Sequence, residues 1–165
     1  MPERTLAIPV IIRPYRADDA PQMAQLYFES VRALGPRGYT PAQVAAWAPA
    51  PLAPIDVLTR AADGRTTFVA ADADDRVVAY ADLEPDGHVD HLYCHPDFAG
   101  RGVASRLLEA LIAHAIQRRL PAIHVEASEL ARPVFERHGF TVTARRDFEI
   151  RGVPIHNYAM RRELA

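Results

Sequence analysis

Apolar positions along this chain switch between a period of two and a period near 3.6, and the switches divide it into elements. The segment Leu6-Ala7-Ile8-Pro9-Val10-Ile11-Ile12 is short and β-branched, and its last part, residues 10–13, predicts an edge strand ending at Pro14. Met23, Leu26, Tyr27 and Val31 recur at helical spacing behind Asp18 or Asp19 as N-cap. Gly35 and Gly38 break that helix. Thr40-Pro41-Ala42-Gln43 is a capping-box sequence with proline at the first helical position, which predicts a short helix to Trp47, stopped before Pro49, Pro51 and Pro54. A third helical piece covers residues 55–62 and ends at Asp63-Gly64.

Period two then returns in three strands, Thr66–Ala71, Val77–Leu83 and His88–Cys94, with hairpin-type turns at Asp74-Asp75 and Pro85-Asp86-Gly87. A long amphipathic helix over residues 103–119 places Val103, Leu107, Leu111, Ala115 and Ile116 on its buried face. Pro121 separates it from a strand at residues 122–126. A helix over residues 129–138 follows, with Gly139 as its left-handed stop. Strands over Thr141–Ile150 and residues 153–161, joined at Arg151-Gly152, complete a mixed α+β pattern. With no repeat, linker or low-complexity stretch, residues 1–165 read as one domain.

Composition narrows the function classes. An apolar content of 49%, with 24% charged residues, is that of a soluble domain with a sizeable core. A formal net charge of −2 disfavours a general nucleic-acid or membrane-surface binder. The arginine pairs Arg118–Arg119, Arg145–Arg146 and Arg161–Arg162 read as solvated faces. Cys94 is the one cysteine, which excludes an internal disulfide and suits a reducing compartment. The N-terminus lacks a small-residue cleavage site and no apolar run approaches membrane-spanning length, so the cytoplasm is the expected location.

The chemistry concentrates at residues 92–108, read as strand, glycine turn and first helical turn. Gly100, Gly102, Ala104 and Ser105 are small, so a ligand can approach the backbone. The first amides of a helix lack internal acceptors and sit at its positive end, which suits a phosphate. No Gly-x-x-x-x-Gly-Lys-Ser/Thr occurs, and Gly100-Arg101-Gly102 lacks the third glycine and acidic residue of a dinucleotide fingerprint.

The six residues Ala99-Gly100-Arg101-Gly102-Val103-Ala104, after His-Pro-Asp-Phe, resemble the Gln/Arg-x-x-Gly-x-Gly/Ala turn of the GNAT superfamily of N-acetyltransferases, with Ala99 replacing the leading Gln or Arg. A second block, residues 127–140, is similar to that family's Asn-x-x-Ala-x-x-x-Tyr-Glu-Lys-x-Gly-Phe, with Ser128 for Asn and Phe135 for Tyr. The resemblance implies the GNAT acyl-coenzyme A N-acyltransferase fold: a mostly antiparallel twisted sheet, splayed at the acetyl-coenzyme A site and flanked by helices. It implies acetyl-coenzyme A as cosubstrate, with Gly100, Arg101, Gly102, Val103, Ala104 and Ser105 at the pyrophosphate. Leu92, Tyr93 and Cys94 would hold pantetheine, joined by Ser128, Ala131 and Phe135. One arginine pair could also serve coenzyme phosphates.

Acetyl transfer to an amine needs a base, a donor for the developing oxyanion and a proton for the thiolate. Strand alternation places His88, Asp90, Leu92 and Cys94 on one face, and His88 occupies the position where histone-type relatives carry a glutamate base. Asp90 would orient His88; Glu84 and Glu126 compete for the role. Phe135 cannot donate a proton, so Tyr158, Tyr93, Ser128 or solvent would protonate the thiolate. The same alternation turns His91 and His95 away from His88 and Cys94, so no metal site is expected. Tyr39, Gln43 and Trp47, at i, i+4 and i+8, with Asn157, are the candidate acceptor contacts. The expected partner is a small amine or a peptide N-terminus, with no nucleic acid and no membrane; a homodimer is compatible with the sequence. A coenzyme A-binding sensor or toxin-system partner without turnover is the alternative.

Overall fold

Turns closed by aspartate side chains set the centre of the sheet. Asp72 Oδ1 accepts the amides of Asp74 and Arg76 at 2.9 Å each, and Asp86 Oδ1 accepts that of His88 at 3.0 Å. These turns fold β2 (Thr66–Ala71), β3 (Val77–Leu83) and β4 (His88–Cys94) into an antiparallel meander. The computed structural model describes residues 9–164, so the strand reading of residues 6–8 lies outside them. β1 (Ile11–Pro14) flanks β2, while β5 (Ala122–Ala127), β6 (Thr141–Ile150) and β7 (Val153–Glu163) complete a seven-stranded sheet in the order β1-β2-β3-β4-β5-β7-β6. Every neighbouring pair is antiparallel except β4 and β5.

Helices cover both faces. α4 (Val103–Gln117) lays Leu107, Leu108, Leu111 and Ala115 against Val78, Ala81, Val89, Ile123 and Met160. A fully buried leucine of this kind contributes about 1.5–3 kcal/mol. Ile116 does not join them: it is 52% exposed, and Leu108 and Ile112 complete the buried stripe instead. On the other face α1 (Ala20–Leu34), α2 (Pro41–Trp47) and α3 (Pro54–Ala61) pack Met23, Leu26, Val31, Val44 and Val57 over Val69, Tyr80 and Ile155. The capping box of α2 forms as read: Thr40 Oγ1 accepts the Gln43 amide, and the Gln43 side chain accepts the Thr40 amide. Asp19 precedes α1 without capping it. Its carboxylate takes the buried Arg13 guanidinium through two 2.8 Å bonds and the Arg16 amide through a third. α5 is shorter than its sequence pattern, Arg132–Arg137, because residues 129–131 form a turn.

The two-residue alternation expected along β4 fails at Asp90-His91. Leu83 pairs with Val89 and Ala81 with Leu92, so two residues of β4 face Asp82 alone. This bulge shifts the phase by one. Val89, Leu92 and Cys94 share the α4 side, whereas His91 and Tyr93 lie with Tyr80 and Asp82 on the α1 side. His88 is therefore not on the face of Leu92 and Cys94, and His91 is not turned away from it. The extra amide is satisfied by Asp82, whose Oδ1 accepts the His91 N–H at 2.8 Å.

Gly87 closes the approach of β4 to β5. Its φ is +96°, its carbonyl accepts the His124 amide at 3.0 Å, and an added Cβ would stand 2.5 Å from the Ala122 carbonyl oxygen. Gly87→Ala is expected to destabilise the fold by about 2 kcal/mol or more, from left-handed strain plus displacement of backbone. Chemical denaturation of the purified variant checks this.

Candidate active site

β4 and β5 pair at only two positions, His88 with His124 and Val89 with Val125. Beyond them each strand keeps its outer neighbour: β4 stays on β3 to Cys94, and β5 stays on β7 to Ala127. The strands therefore part, and a cavity of about 760 Å³ opens between them and under α1 and α2.

One end of the cavity is the glycine turn. Gly100, Gly102, Val103, Ala104 and Ser105 line it, with Ala99 and Phe98; Arg101 is exposed beside it and is not among the lining residues. Gly100 and Gly102 hold φ of +72° and +82°, and a Cβ on either would meet nothing within 4 Å. Among the described residues, no protein acceptor receives the amide N–H of any residue from 100 to 105. Six free donors at the head of a 15-residue helix form an anion cradle, and the open glycines let a diphosphate reach them. The residues therefore fit the pyrophosphate of coenzyme A.

Leu92, Tyr93 and Cys94 line the middle of the cavity, facing Ala127, Ser128, Ala131 and Phe135 across the gap. Ser128 Oγ accepts the Ala131 amide at 3.1 Å, so it caps the turn into α5 while lining the cavity. Phe135 is buried, edge-on to Phe140. Burial pushes the Cys94 thiol up to about 11, so it is protonated at neutral pH and poorly suited to carry an acyl group.

At the point where β4 and β5 separate, His88 sits between two carboxylates. Its Nδ1 lies 2.6 Å from Glu84 Oε1, its Nε2 contacts Glu126 Oε2, and its ring stacks on His124. Burial lowers the His88 pKa, but the two carboxylates outweigh it, and the net shift is upward from 6.5. His88 and Glu126 line the cavity; Glu84 stands behind. Asp90 does not orient His88, as alternation suggested. The bulge turns its carboxylate to Arg65 Nη1, 2.8 Å away, and Arg65 also holds Asp63 and the buried Asp82. Donor atoms of Asp82, Asp90 and His91 lie within 4.8 Å of one another, and the Arg65 guanidinium bonds both carboxylates of the group.

The far end is aromatic. Trp47, Tyr39, Tyr93, Phe148, Ile150 and Ile155 line it, with Asn157 and Arg146. Tyr39 is a strut: its hydroxyl donates to the His156 carbonyl at 3.0 Å and accepts the Glu129 amide at 2.9 Å. Gln43 does not line the cavity. Tyr39 precedes α2, so the i, i+4, i+8 count does not hold, and the Gln43 amide nitrogen donates to the Pro154 carbonyl. Tyr158 is likewise elsewhere, its hydroxyl donated to Glu129 at 2.6 Å, where His156 Nε2 also binds. Arg65, Asp82 and Glu129 escape a reading of the sequence, and Arg146, read there with Arg145 as a solvated face, lines the cavity instead because the β6 register puts it beside Asn157. Only Asp82 carries a signal, as an acid inside the otherwise apolar Val77–Leu83.

A mostly antiparallel open sheet that splays between β4 and β5 and is flanked by helices is the architecture of the GNAT acyltransferases. Residues 37–162 match the acetyltransferase (GNAT) domain, and the chain belongs to that family of acetyltransferases. It is 30% identical over 158 residues to Uncharacterized N-acetyltransferase YafP of Escherichia coli (strain K12), covering 91% of this chain and 93% of that protein. Among solved structures it is similar to a GCN5-related N-acetyltransferase, "Aminotransferase, Class-II", from Rhodopseudomonas palustris, with TM-score 0.87, 30% identity, and 98% and 99% of the two chains covered. It shares its fold with a GNAT superfamily phosphinothricin acetyltransferase from Sinorhizobium meliloti in complex with AcCoA, at TM-score 0.76, 20% identity, and 95% and 89% coverage. Among the described residues, no helix is long and apolar enough to cross a membrane.

Proposed function

We propose that this chain transfers the acetyl group of acetyl-coenzyme A to a primary amine, a small molecule or a peptide N-terminus, by direct attack within a ternary complex. The observation that carries this reading is the continuity of one cavity from the unpartnered amides of residues 100–105 to His88 and Glu126. Acetyl-coenzyme A supplies an acyl group already activated as a thioester. The amides of the glycine turn bind its diphosphate, and the free edge of β4 at Leu92, Tyr93 and Cys94 aligns its arm.

His88 with both ring nitrogens on carboxylates is a poor lone base. Its role is to share a proton with Glu126 and Glu84, and Glu126, facing the cavity, receives the proton of the attacking amine. The N–C bond forms as the C–S bond breaks, the amine proton passes to the Glu126–His88–Glu84 cluster, and the thiolate is protonated from solvent. Phe135 has no proton to give, and the Tyr158 hydroxyl is committed to Glu129.

Thiol release measured across a panel of primary amines, beside coenzyme binding by calorimetry, tests the reading. Binding without turnover on any amine would favour a coenzyme sensor. A pH–rate prediction follows from the raised His88 pKa. The protonated cluster cannot accept the amine proton, so kcat/KM is expected to rise with pH through a midpoint above 6.5. His88→Gln should remove that limb; a profile identical to wild type would exclude His88 from proton transfer.

A further inference from the structure

Arg146 is an exposed cation at the edge of the cavity, which it helps to line, with no carboxylate partner among the described residues. Its Nη1 donates to Asn157 Oδ1 at 3.1 Å and its guanidinium lies 5.4 Å from the Phe148 ring centroid, so the side chain is oriented from two sides. Its neighbour Arg145 points to the opposite face of β6 and is paired with Asp147. A guanidinium has five N–H donors in a planar fork, and here one is used.

The register fixes where this cation stands relative to the proton acceptor. Arg146 is opposite Asn157 on β7, and Glu126 is opposite Ala159, two residues further along the same strand. Glu126, Ala159, Asn157 and Arg146 therefore share one face of the sheet, the face that lines the aromatic end of the cavity. Two strand spacings across and two residues along separate the backbones of Glu126 and Arg146 by about 12 Å. Both side chains stand on that face and line the cavity, and two long side chains with a small amino acid between them can span that separation. Among the residues lining the same cavity are Trp47, Tyr93, Phe148 and Ile155, whose rings and branched chain supply apolar surface for an acceptor side chain.

We propose that the acceptor is a free amino acid with an apolar side chain, its carboxylate taken by Arg146 and Asn157 while its amine faces Glu126 and His88. The proposal rests on the acetyltransferase reading above and narrows the amine to a class. Arg146 and Asn157 set specificity: the guanidinium binds the carboxylate through its free N–H groups, and the Asn157 carbonyl holds the fork in place. A peptide N-terminus has an amide carbonyl where this carboxylate would be and leaves the arginine without its anion.

The test compares matched pairs, phenylalanine with phenylalaninamide and leucine with leucinamide, as acceptors for the full-length protein. Wild type should prefer the acid in kcat/KM by about tenfold or more, as loss of a charge-assisted bidentate pair implies. Arg146→Ala should bring the ratio close to one, Arg146→Lys should retain part of it, and Arg145→Ala should leave it unchanged. The lower amine pKa of the carboxamides works against the expected preference and cancels between wild type and variant. A wild-type enzyme indifferent to the carboxylate, or a ratio surviving in Arg146→Ala, overturns the acceptor class and leaves the transferase reading standing. Coenzyme binding by calorimetry with no transfer to either member of either pair overturns the amino-acid class. If the broad amine panel is also silent, the transferase reading falls with it.

Discussion

Gly102→Glu is expected to abolish coenzyme binding while leaving a folded protein. Gly102 sits at φ +82° immediately before α4, and a side chain there projects into open space rather than into the core. The unpartnered amides of residues 100–105 belong to the same turn, so on the proposed reading a glutamate puts its carboxylate among the donors offered to the coenzyme diphosphate. It blocks the approach, satisfies the amides internally and repels the incoming phosphates. Affinity should fall by about 100-fold or more, the loss of several charge-assisted hydrogen bonds. The backbone cost of a side chain in the left-handed region, about 1–2 kcal/mol, is common to any non-glycine residue. Gly152 supplies the matched control, with φ +76° and equally open surroundings in the β6–β7 turn. Gly152→Glu should show the strain in its melting temperature and bind coenzyme normally. Gly102→Ala should fall between, since it adds bulk without charge. Coenzyme affinity unaltered in Gly102→Glu would remove the turn as the phosphate site, and with it the acetyltransferase reading.

Much of this was legible in the sequence, because the signals were local. The spans Thr66–Ala71, Val77–Leu83 and His88–Cys94 are bounded by turns that aspartates close through their own side chains, and these strands form over those residues. The capping box before Pro41 and the glycine turn before Val103 are equally local, and both hold. What the sequence hides is pairing. The β4 bulge exists because two residues face Asp82 across the sheet, and alternation counted along one strand cannot register it. That slip separates His88 from the face of Leu92 and Cys94 and hands Asp90 to Arg65. Arg145 and Arg146 look alike as a pair on a solvated strand. Only the register of β6 on β7 sends one to Asp147 and the other to Asn157 and the cavity. Gln43 fails as a pocket residue for a third such reason: its side chain is occupied at both ends by Thr40 and Pro154.

Removing the Arg65 guanidinium should cost more stability than any other single surface-proximal change and should damage the site as well. The Arg65 side chain is 6% exposed and meets Asp63, Asp82 and Asp90 within 3 Å, and Asp82 itself is 6% exposed. Asp82 in turn holds the bulge through the His91 amide and ring nitrogen, each at 2.8 Å. Among the described residues Arg65→Ala leaves buried Asp82 with His91 as its remaining partner, the situation in which breaking a buried pair costs about 3–5 kcal/mol. The pH dependence identifies the cause. In the wild type burial raises the Asp82 pKa, but His91 and Arg65 outweigh it, so the folded-state value lies below 3.8. Stability from this group is then present in full above the unfolded value and lost as pH falls through the folded one. Without Arg65 the burial penalty is less opposed and the Asp82 pKa rises. The variant consequently loses less on acidification, and the stability gap between the two proteins should be widest near neutrality and narrow below about pH 4. Urea denaturation across that range checks it; a gap independent of pH would mean that lost packing, not an unpaired Asp82, accounts for the damage. Because the bulge carries His91 and Leu92 along the cavity wall, Arg65→Ala should also raise the KM for coenzyme at temperatures where the variant remains folded. Asp82→Asn separates the two effects. It removes the charge that needs Arg65 yet keeps an acceptor for the His91 amide, so coenzyme binding should suffer less than stability.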